Sequence, residues 1–266
     1  MVNLIKMDLR RLSKSLLFKV SLILVAALNI LVGFFEPIVV NLIAQSMSNG
    51  QKTPDIVTKL SSSISDPFSI PIMFILLFMS VVVFTYADFS HGYVKNLAGQ
   101  VNKRSSLIFS KFIVIGIHNL IFLVVGSATK IIGAYAGCVG GGKVEVDGLI
   151  GAALGTLFIK WMLCMAISAI LIFITSGVRN KTLASIVGVI IGTGALGLAY
   201  LGINTAIGQL FKQSSFSISD YMPDQLLNMV DVGSNIAVAN AIIVAVVCSA
   251  IFLALAVKTF NSRDIK

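Results

Sequence analysis

Six long apolar stretches constrain what this chain can fold into. They cover residues 19–43, 68–87, 110–136, 149–175, 183–204 and 236–257. Each holds about 20 or more mostly apolar residues, the length that a helix needs to cross a bilayer. Only 12% of the residues are charged, whereas roughly 25% is usual in a soluble domain. The sequence therefore predicts an all-α integral membrane protein with six transmembrane helices in one domain, residues 1–266.

Basic residues are distributed unevenly between the segments that join these stretches. Fourteen of the 20 Lys and Arg residues lie in the N-terminus, residues 88–111, residues 176–182 and the C-terminal tail. Since positively charged flanks stay in the cytoplasm, this bias predicts that both termini are cytoplasmic. It also explains the net charge of +9 without nucleic-acid binding. The three cysteines have no disulfide or metal spacing, so no metal site is predicted.

The stretch GCVGGGKV, residues 137–144, matches most of a phosphate-binding loop. Val144 stands where that motif needs a hydroxyl, and a buried strand should precede the glycines. The predicted topology also places the stretch outside the cell. The sequence therefore predicts a glycine-rich connection between two helices rather than a nucleotide site.

The N-terminal segment, residues 1–18, has an amphipathic pattern. Ile5, Leu9, Leu12 and Leu16 recur at helical spacing, and basic residues occupy the other faces. This pattern is typical of a helix in the headgroup layer. The alternative is a basic flank that only fixes the topology.

The loop 88–109 is the largest predicted cytoplasmic connection. Val94, Leu97 and Val101 are spaced i, i+3 and i+7, with polar and basic residues between them. A short amphipathic helix over 92–104 cannot span a membrane, but it can bind in a partner's groove. A simple basic turn is the alternative.

This loop resembles the membrane subunit of bacterial ABC exporters of the type-2 permease class. In that family the second span runs into an acidic-aromatic pair, then Gly-Thr-x-Lys-Asn, an Arg and a Ser-Lys. The matching residues are Asp88, Phe89, Gly92, Lys95, Asn96, Arg104, Ser110 and Lys111. Asp88 and Tyr93 replace the usual Glu and Thr. DYMPDQ, residues 220–225, is similar to the family's Pro-containing re-entrant segment before the sixth span.

The resemblance implies a permease without ATPase activity of its own in a bacterial cytoplasmic membrane. A separate ATPase dimer would bind ATP and Mg²⁺, and a second permease subunit would complete a homodimer or heterodimer. The cargo would be amphipathic or lipophilic, such as an antimicrobial peptide, a toxin or a drug, as in lantibiotic export or immunity. The ATPase-coupling residues would be Phe89, Gly92, Lys95, Asn96, Leu97 and Arg104.

Two other classes of function remain as alternatives. An ion-coupled carrier needs acidic residues near the bilayer midplane, and only Glu36 comes close. A membrane-embedded enzyme needs paired catalytic side chains, which His118 alone does not supply. The sequence therefore predicts no catalytic residues.

Ionisable residues inside the apolar stretches are candidates for the substrate path, because burying a charge in a bilayer is costly. Lys160 lies about eleven residues, roughly 16 Å, into the fourth stretch. It could line the path, pair with an acid, or extend its ammonium group to the surface. Glu36 can pair with Lys130, and His118 fits either a hydrogen-bonded packing role or a proton relay.

Proline and glycine residues give local predictions. Pro37 should kink or end the first helix. The pairs Gly151/Gly155 and Gly188/Gly192 predict contact faces in the fourth and fifth helices, since small residues let helices approach closely. The glycines of the fifth helix could instead provide flexibility.

Overall fold

The computed structural model describes residues 2–47, 57–90, 105–178, 180–211, 217–230, 232 and 235–262. Most of these residues are helical. The helices are α1 (Val2–Lys14), α2 (Leu16–Met47), α3 (Leu60–Ser65), α4 (Pro71–Ser90), α5 (Ser105–Val139), α6 (Ile150–Val178), α7 (Lys181–Gly192), α8 (Leu196–Phe211), α9 (Pro223–Met229) and α10 (Asn235–Ser262). A 3-10 turn covers Ile218–Tyr221. Two short strands, β1 (Thr58–Lys59) and β2 (Val144–Glu145), pair in parallel.

The predicted membrane class is confirmed. Five helices, α2, α4, α5, α6 and α10, are long and apolar enough to cross a membrane. Helices α7 and α8 together make a sixth candidate span, bent by 69° at their junction. Gly194 lies in this junction at a φ of 69°, a backbone conformation that favours glycine. The chain is therefore an all-α, multi-pass membrane protein.

The N-terminal amphipathic segment forms a separate helix that is shorter than predicted. α1 ends at Lys14, and α2 begins at Leu16. Leu12 is buried against the bundle, whereas Leu9 and Leu16 are exposed. One part of the apolar face therefore packs inside the protein, and the other part lies at the surface. The first span begins earlier than the hydropathy pattern indicates, so Leu16 already belongs to α2.

Helix α5 is the central element of the bundle. Its 35 residues extend about 52 Å, well beyond the roughly 30 Å hydrocarbon core. Phe122 on α5, Phe78 on α4 and Leu163 on α6 are fully buried. The core therefore lies between α4, α5 and α6, and the long α5 continues past it at both ends.

Glycines bring α2 and α5 into close contact. A Cβ added at Gly133 would overlap the carbonyl oxygen of Ile30, and one at Gly137 would lie 2.6 Å from that of Phe34. Backbone therefore packs against backbone along this interface. This Gly-x-x-x-Gly pair was not among the contact faces predicted from the sequence.

The same interface corrects one of the two outcomes predicted for Pro37, namely that it ends the first helix. Helix α2 does not end there but continues to Met47. The proline ring lies beside Gly137 of α5. We attribute the continuation to this packing, because tertiary contacts on both sides of Pro37 compensate for the missing backbone hydrogen bond.

Of the two predicted glycine contact faces, the structure confirms the one in the fifth predicted span but not the one in the fourth. Gly188 and Gly192 pack against α4, where a Cβ on Gly192 would lie 2.9 Å from the nitrogen of Ile75. A Cβ added at Gly151 or at Gly155 would have no neighbouring atom within 4 Å. The prediction for α6 is therefore wrong within the described part of the chain, because these glycines lie on its outward surface.

This contrast gives a test of the α2–α5 interface. We expect Gly133→Ala to destabilise the protein by about 1–3 kcal/mol, because the added methyl group meets backbone that cannot rotate away. Gly151→Ala adds the same methyl group in open space and gains helix propensity. Thermal unfolding in detergent, followed by size-exclusion chromatography, compares the two. Equal midpoints would contradict the assigned close contact.

Candidate functional site

Two groups of charged residues lie near opposite ends of α5. The Asp88 cluster consists of Asp8, Arg11, Asp88, Ser110 and Lys111, and the Asp66 cluster consists of Glu36, Asp66, Ser69, Lys130 and Lys160. Lys111 and Lys130 are both on α5, 19 residues apart in the sequence. That separation is about 29 Å along a helix and matches the hydrocarbon thickness of a bilayer. The two clusters are therefore spaced as the two surfaces of a membrane are.

The Asp88 cluster joins three helices through buried ion pairs. Asp88, near the end of α4, pairs with Lys111, near the start of α5, and their side chains are 4% and 5% exposed. Arg11 of α1 places a guanidinium nitrogen 2.7 Å from the same carboxylate. The ammonium group of Lys111 also lies 4.9 Å from the ring centre of Phe84. Since a buried charge is costly without a partner, these contacts fix α1 against α4 and α5.

A second carboxylate completes this cluster. Asp8 accepts a hydrogen bond of 2.9 Å from the hydroxyl of Ser110 and lies 3.7 Å from Arg11. Burial raises the pKa of Asp8 above its usual value, although Lys111 and the Ser110 hydrogen bond oppose the shift. Asp8 therefore binds a proton more readily than an exposed aspartate does.

The predicted ATPase-coupling residues adjoin this cluster in the sequence. Gly92, Lys95, Asn96, Leu97 and Arg104 lie outside the described residues, and Phe89 is in the last turn of α4. The structure places Asp88 before this segment and Lys111 after it, in direct contact. The family motif included both residues, but the pattern gave no sign of Arg11. The sequence signal for the Asp88–Lys111 pair was that opposite charges lie at the facing ends of two consecutive helices.

The Asp66 cluster surrounds the ammonium group of Lys130. That group donates to the Asp66 carbonyl at 3.1 Å and to the Ser69 hydroxyl at 2.6 Å. It also lies 3.4 Å from the Glu36 carboxylate. The predicted Glu36–Lys130 pair is therefore confirmed.

Lys160 pairs with an acid, which was one of the roles predicted for it, but the sequence did not identify Asp66 as that acid. Its ammonium nitrogen lies 3.2 Å from Oδ1 of Asp66. Asp66 precedes α4, so this ion pair connects α6 to the segment before α4. Asp66 follows a serine-rich segment with no periodic pattern that would have linked it to Lys160.

A polar cavity of about 310 Å³ opens beside these charges. Its walls include residues from five parts of the chain: Glu36, Ser65 with Asp66, Lys130, Lys160 and Asn228. Burial disfavours ionisation of Asp66, but Lys160 and Lys130 together outweigh it and lower the pKa of this carboxyl group. Asn228 belongs to α9, so the helix that begins within DYMPDQ also reaches this cavity.

His118 lies apart from both charged clusters. Its Nε2 is 2.7 Å from the Ser80 hydroxyl, and its Nδ1 is 3.1 Å from the Asn119 side-chain oxygen. Asn119 in turn donates to Ser168 at 2.9 Å, which joins α4, α5 and α6. Of the three substrate-path candidates, Glu36 and Lys160 therefore share a cavity, while His118 is part of a buried network.

The glycine-rich stretch at 137–144 forms a connection at the Asp66-cluster end. The long helix α5 precedes its last glycines, where a phosphate loop requires a strand. Asn41 donates a 2.8 Å hydrogen bond to the Gly141 carbonyl, and Thr58 donates to that of Lys143 at 3.0 Å. These bonds tie the connection to α2 and β1.

No protein-family model matches the chain, and no curated protein matches it significantly. The resemblance of residues 88–111 to ABC exporter permeases stays a prediction from the sequence.

Removal of Asp88 should destabilise the fold strongly. We expect Asp88→Ala to cost about 3–5 kcal/mol, because it leaves the buried Lys111 ammonium without its carboxylate. The double variant Asp88→Ala/Lys111→Met removes both charges and should recover part of the loss. Chemical unfolding in detergent measures both changes. A double variant no more stable than the single one would contradict the ion-pair assignment.

Acid should weaken the Asp66 cluster in a defined direction. Because the folded pKa of Asp66 is lowered, its ionised form stabilises the folded state above the unfolded pKa, about 3.9. This contribution is lost as pH falls through the lower folded value. Thermal unfolding between pH 6 and pH 3 should therefore show a wild-type advantage over Asp66→Asn that shrinks as the pH falls below about 3.9. The exposed Asp220 provides a control, since Asp220→Asn should keep the wild-type profile.

Proposed function

We propose that this chain is the permease subunit of an ATP-driven ABC exporter of the type-2 class. It has six spans, with α7 and α8 forming a broken fifth span, and both termini are in the cytoplasm of a bacterial cell. A separate ATPase dimer binds ATP and Mg²⁺ and contacts residues 92–104. The chain itself has no enzymatic activity.

The Asp88 cluster is the observation that carries this proposal. The segment between Ser90 and Ser105 begins and ends at helices that are ion-paired through Asp88 and Lys111. Arg11 connects the same carboxylate to α1. A displacement of this segment by a partner would therefore move α1, α4 and α5 together. Such joint movement is what a permease needs if a separate ATPase drives it.

An apolar cavity supports a lipophilic or amphipathic cargo. It has a volume of about 310 Å³ and lies between α6, α7 and α8, beside the start of α9. Ile167, Ile191 and Pro223 line it, with Tyr200 and Asp224 at its polar side. The Tyr200 hydroxyl lies 3.3 Å from the Asp224 carboxylate. Such a lining favours a largely apolar molecule with one polar group.

The uneven burial of the spans supports pairing with a second permease subunit. In α4, α5 and α6, 56% of the most apolar segment is buried within the chain, against 22% in α2 and 17% in α10. The faces of α2 and α10 are therefore free to contact lipid and another subunit, of the same or a different sequence.

Copurification tests the predicted contact with an ATPase. The tagged chain, expressed with a candidate ABC ATPase subunit from the same genome, should retain that subunit in mild detergent. We expect the double charge reversal Lys95→Glu/Arg104→Glu to remove it, because an amphipathic contact helix loses its basic rim. Lys143→Glu is the matched control, because the predicted topology places Lys143 on the other side of the membrane. This variant should retain the ATPase. Transport by the chain alone would contradict the proposal and favour a carrier.

If residues 92–104 transmit the movement of the ATPase to the spans, a proline in this loop should block transport. We expect Gly92→Pro to abolish ATP-driven transport while membrane insertion stays normal, because proline disrupts the predicted helix and not the spans. Transport into inverted vesicles measures the first property, and protease protection measures the second. Unchanged transport would contradict the role of residues 92–104.

A further inference from the structure

The cavity beside the Asp66 cluster contains an ammonium group whose hydrogen bonds are incomplete. A lysine ammonium group has three N–H donors. Among the described residues, Lys160 contacts one acceptor, Oδ1 of Asp66, although its side chain is only 7% exposed. Lys130 instead contacts oxygens of Asp66, Ser69 and Glu36. Lys160 therefore has donors available on the cavity wall that it lines.

The same wall also offers acceptors. The side chains of Glu36 and Asp66 are 33% and 44% exposed, and both line the cavity. Glu36 contacts a single ammonium group, that of Lys130, within the described ranges. Its second carboxylate oxygen can therefore accept hydrogen bonds from a ligand.

The charge of the cluster selects the type of ligand. Two lysines and two carboxylates, Lys130, Lys160, Glu36 and Asp66, sum to zero. A ligand with a net charge would leave that charge without compensation in a partly buried site, which is costly. A zwitterion keeps the sum at zero and can use both sets of groups. Its anionic oxygen would accept from Lys160, and its primary ammonium group would donate to Glu36.

The level of the cavity favours a lipid as the source of this zwitterion. Lys130 is about 29 Å along α5 from Lys111, so the two clusters are separated by one hydrocarbon thickness. Polar headgroups occupy that level in a bilayer. Phe68 and Val230 add apolar surface to the cavity. A volume of about 310 Å³ is at the small end for ligand pockets and suits a headgroup.

We propose that this cavity binds the phosphoethanolamine headgroup of a phospholipid. The phosphate accepts hydrogen bonds from Lys160, and the primary ammonium group donates to Glu36 and Asp66. A choline headgroup cannot donate these bonds, because its nitrogen carries no proton. A phosphatidylglycerol headgroup lacks the cation altogether. The proposal concerns lipid binding and does not depend on an ATPase partner.

Native mass spectrometry can measure this preference directly. The full chain is released from bilayers that contain equal amounts of phosphatidylethanolamine, phosphatidylcholine and phosphatidylglycerol, and its bound lipids are counted. We expect phosphatidylethanolamine to be enriched about tenfold over each competitor, as charge-assisted hydrogen bonds to both ends of the headgroup predict. Lys160→Gln should reduce this enrichment at least about fivefold. Lys143→Gln, an exposed lysine outside the cavity, should leave it unchanged.

A second variant keeps the test decisive if Lys160→Gln does not fold. Glu36→Gln retains the Lys160–Asp66 pair but removes the charge that receives the ligand's ammonium group. We expect it to lose selectivity for phosphatidylethanolamine over phosphatidylglycerol. Equal retention of the three lipids by the wild-type chain, or unchanged selectivity in Glu36→Gln, would overturn the proposal. Displacement of the lipid by millimolar soluble phosphoethanolamine, without any effect of acyl chains on affinity, would also overturn it by assigning the site to a soluble zwitterion.

Discussion

Lysines buried on one central helix impose a constraint on the rest of this structure. Lys111 and Lys130 lie within a bundle made mostly of apolar side chains, where an unpaired ammonium group is costly. Each is paired by carboxylates from other segments: Asp88 from α4 for the first, and Glu36 and Asp66 for the second. These pairs define which neighbouring segments meet α5 and at which level.

Close backbone contact between α2 and α5 supplies the other organising element. Gly133 and Gly137 let α2 approach so closely that the first span lies along α5 through the level of Pro37. Glu36 lies next to this proline and reaches Lys130. The glycine interface therefore positions one of the two acids of the Asp66 cluster. Steric fit and charge pairing act on the same two helices.

The proposed transport function and the proposed lipid site depend on different ends of the molecule. The Asp88 cluster connects α1, α4 and α5 beside the segment that is proposed to contact the ATPase. The Asp66 cluster lies one hydrocarbon thickness away and surrounds a polar cavity. Because α5 is a single continuous helix, it forms a direct mechanical connection between the two ends. A movement at the Asp88 cluster can therefore be transmitted along α5 to the Asp66 cluster.

The membrane class, the approximate spans, the separate amphipathic N-terminal helix and the Glu36–Lys130 pair could all be predicted from the sequence. These features follow from hydrophobic length, helical periodicity and complementary charge, which are local or near-local properties. The packing of the helices was needed to show that Asp66 pairs with Lys160, that Arg11 joins Asp88, and that Gly133 rather than Gly151 is at a helix contact. It also decided that α2 continues through Pro37 and that the fifth stretch bends. Each of these depends on which faces of distant helices meet, and in a chain whose spans are apolar on all sides the hydropathy pattern does not distinguish one face from another.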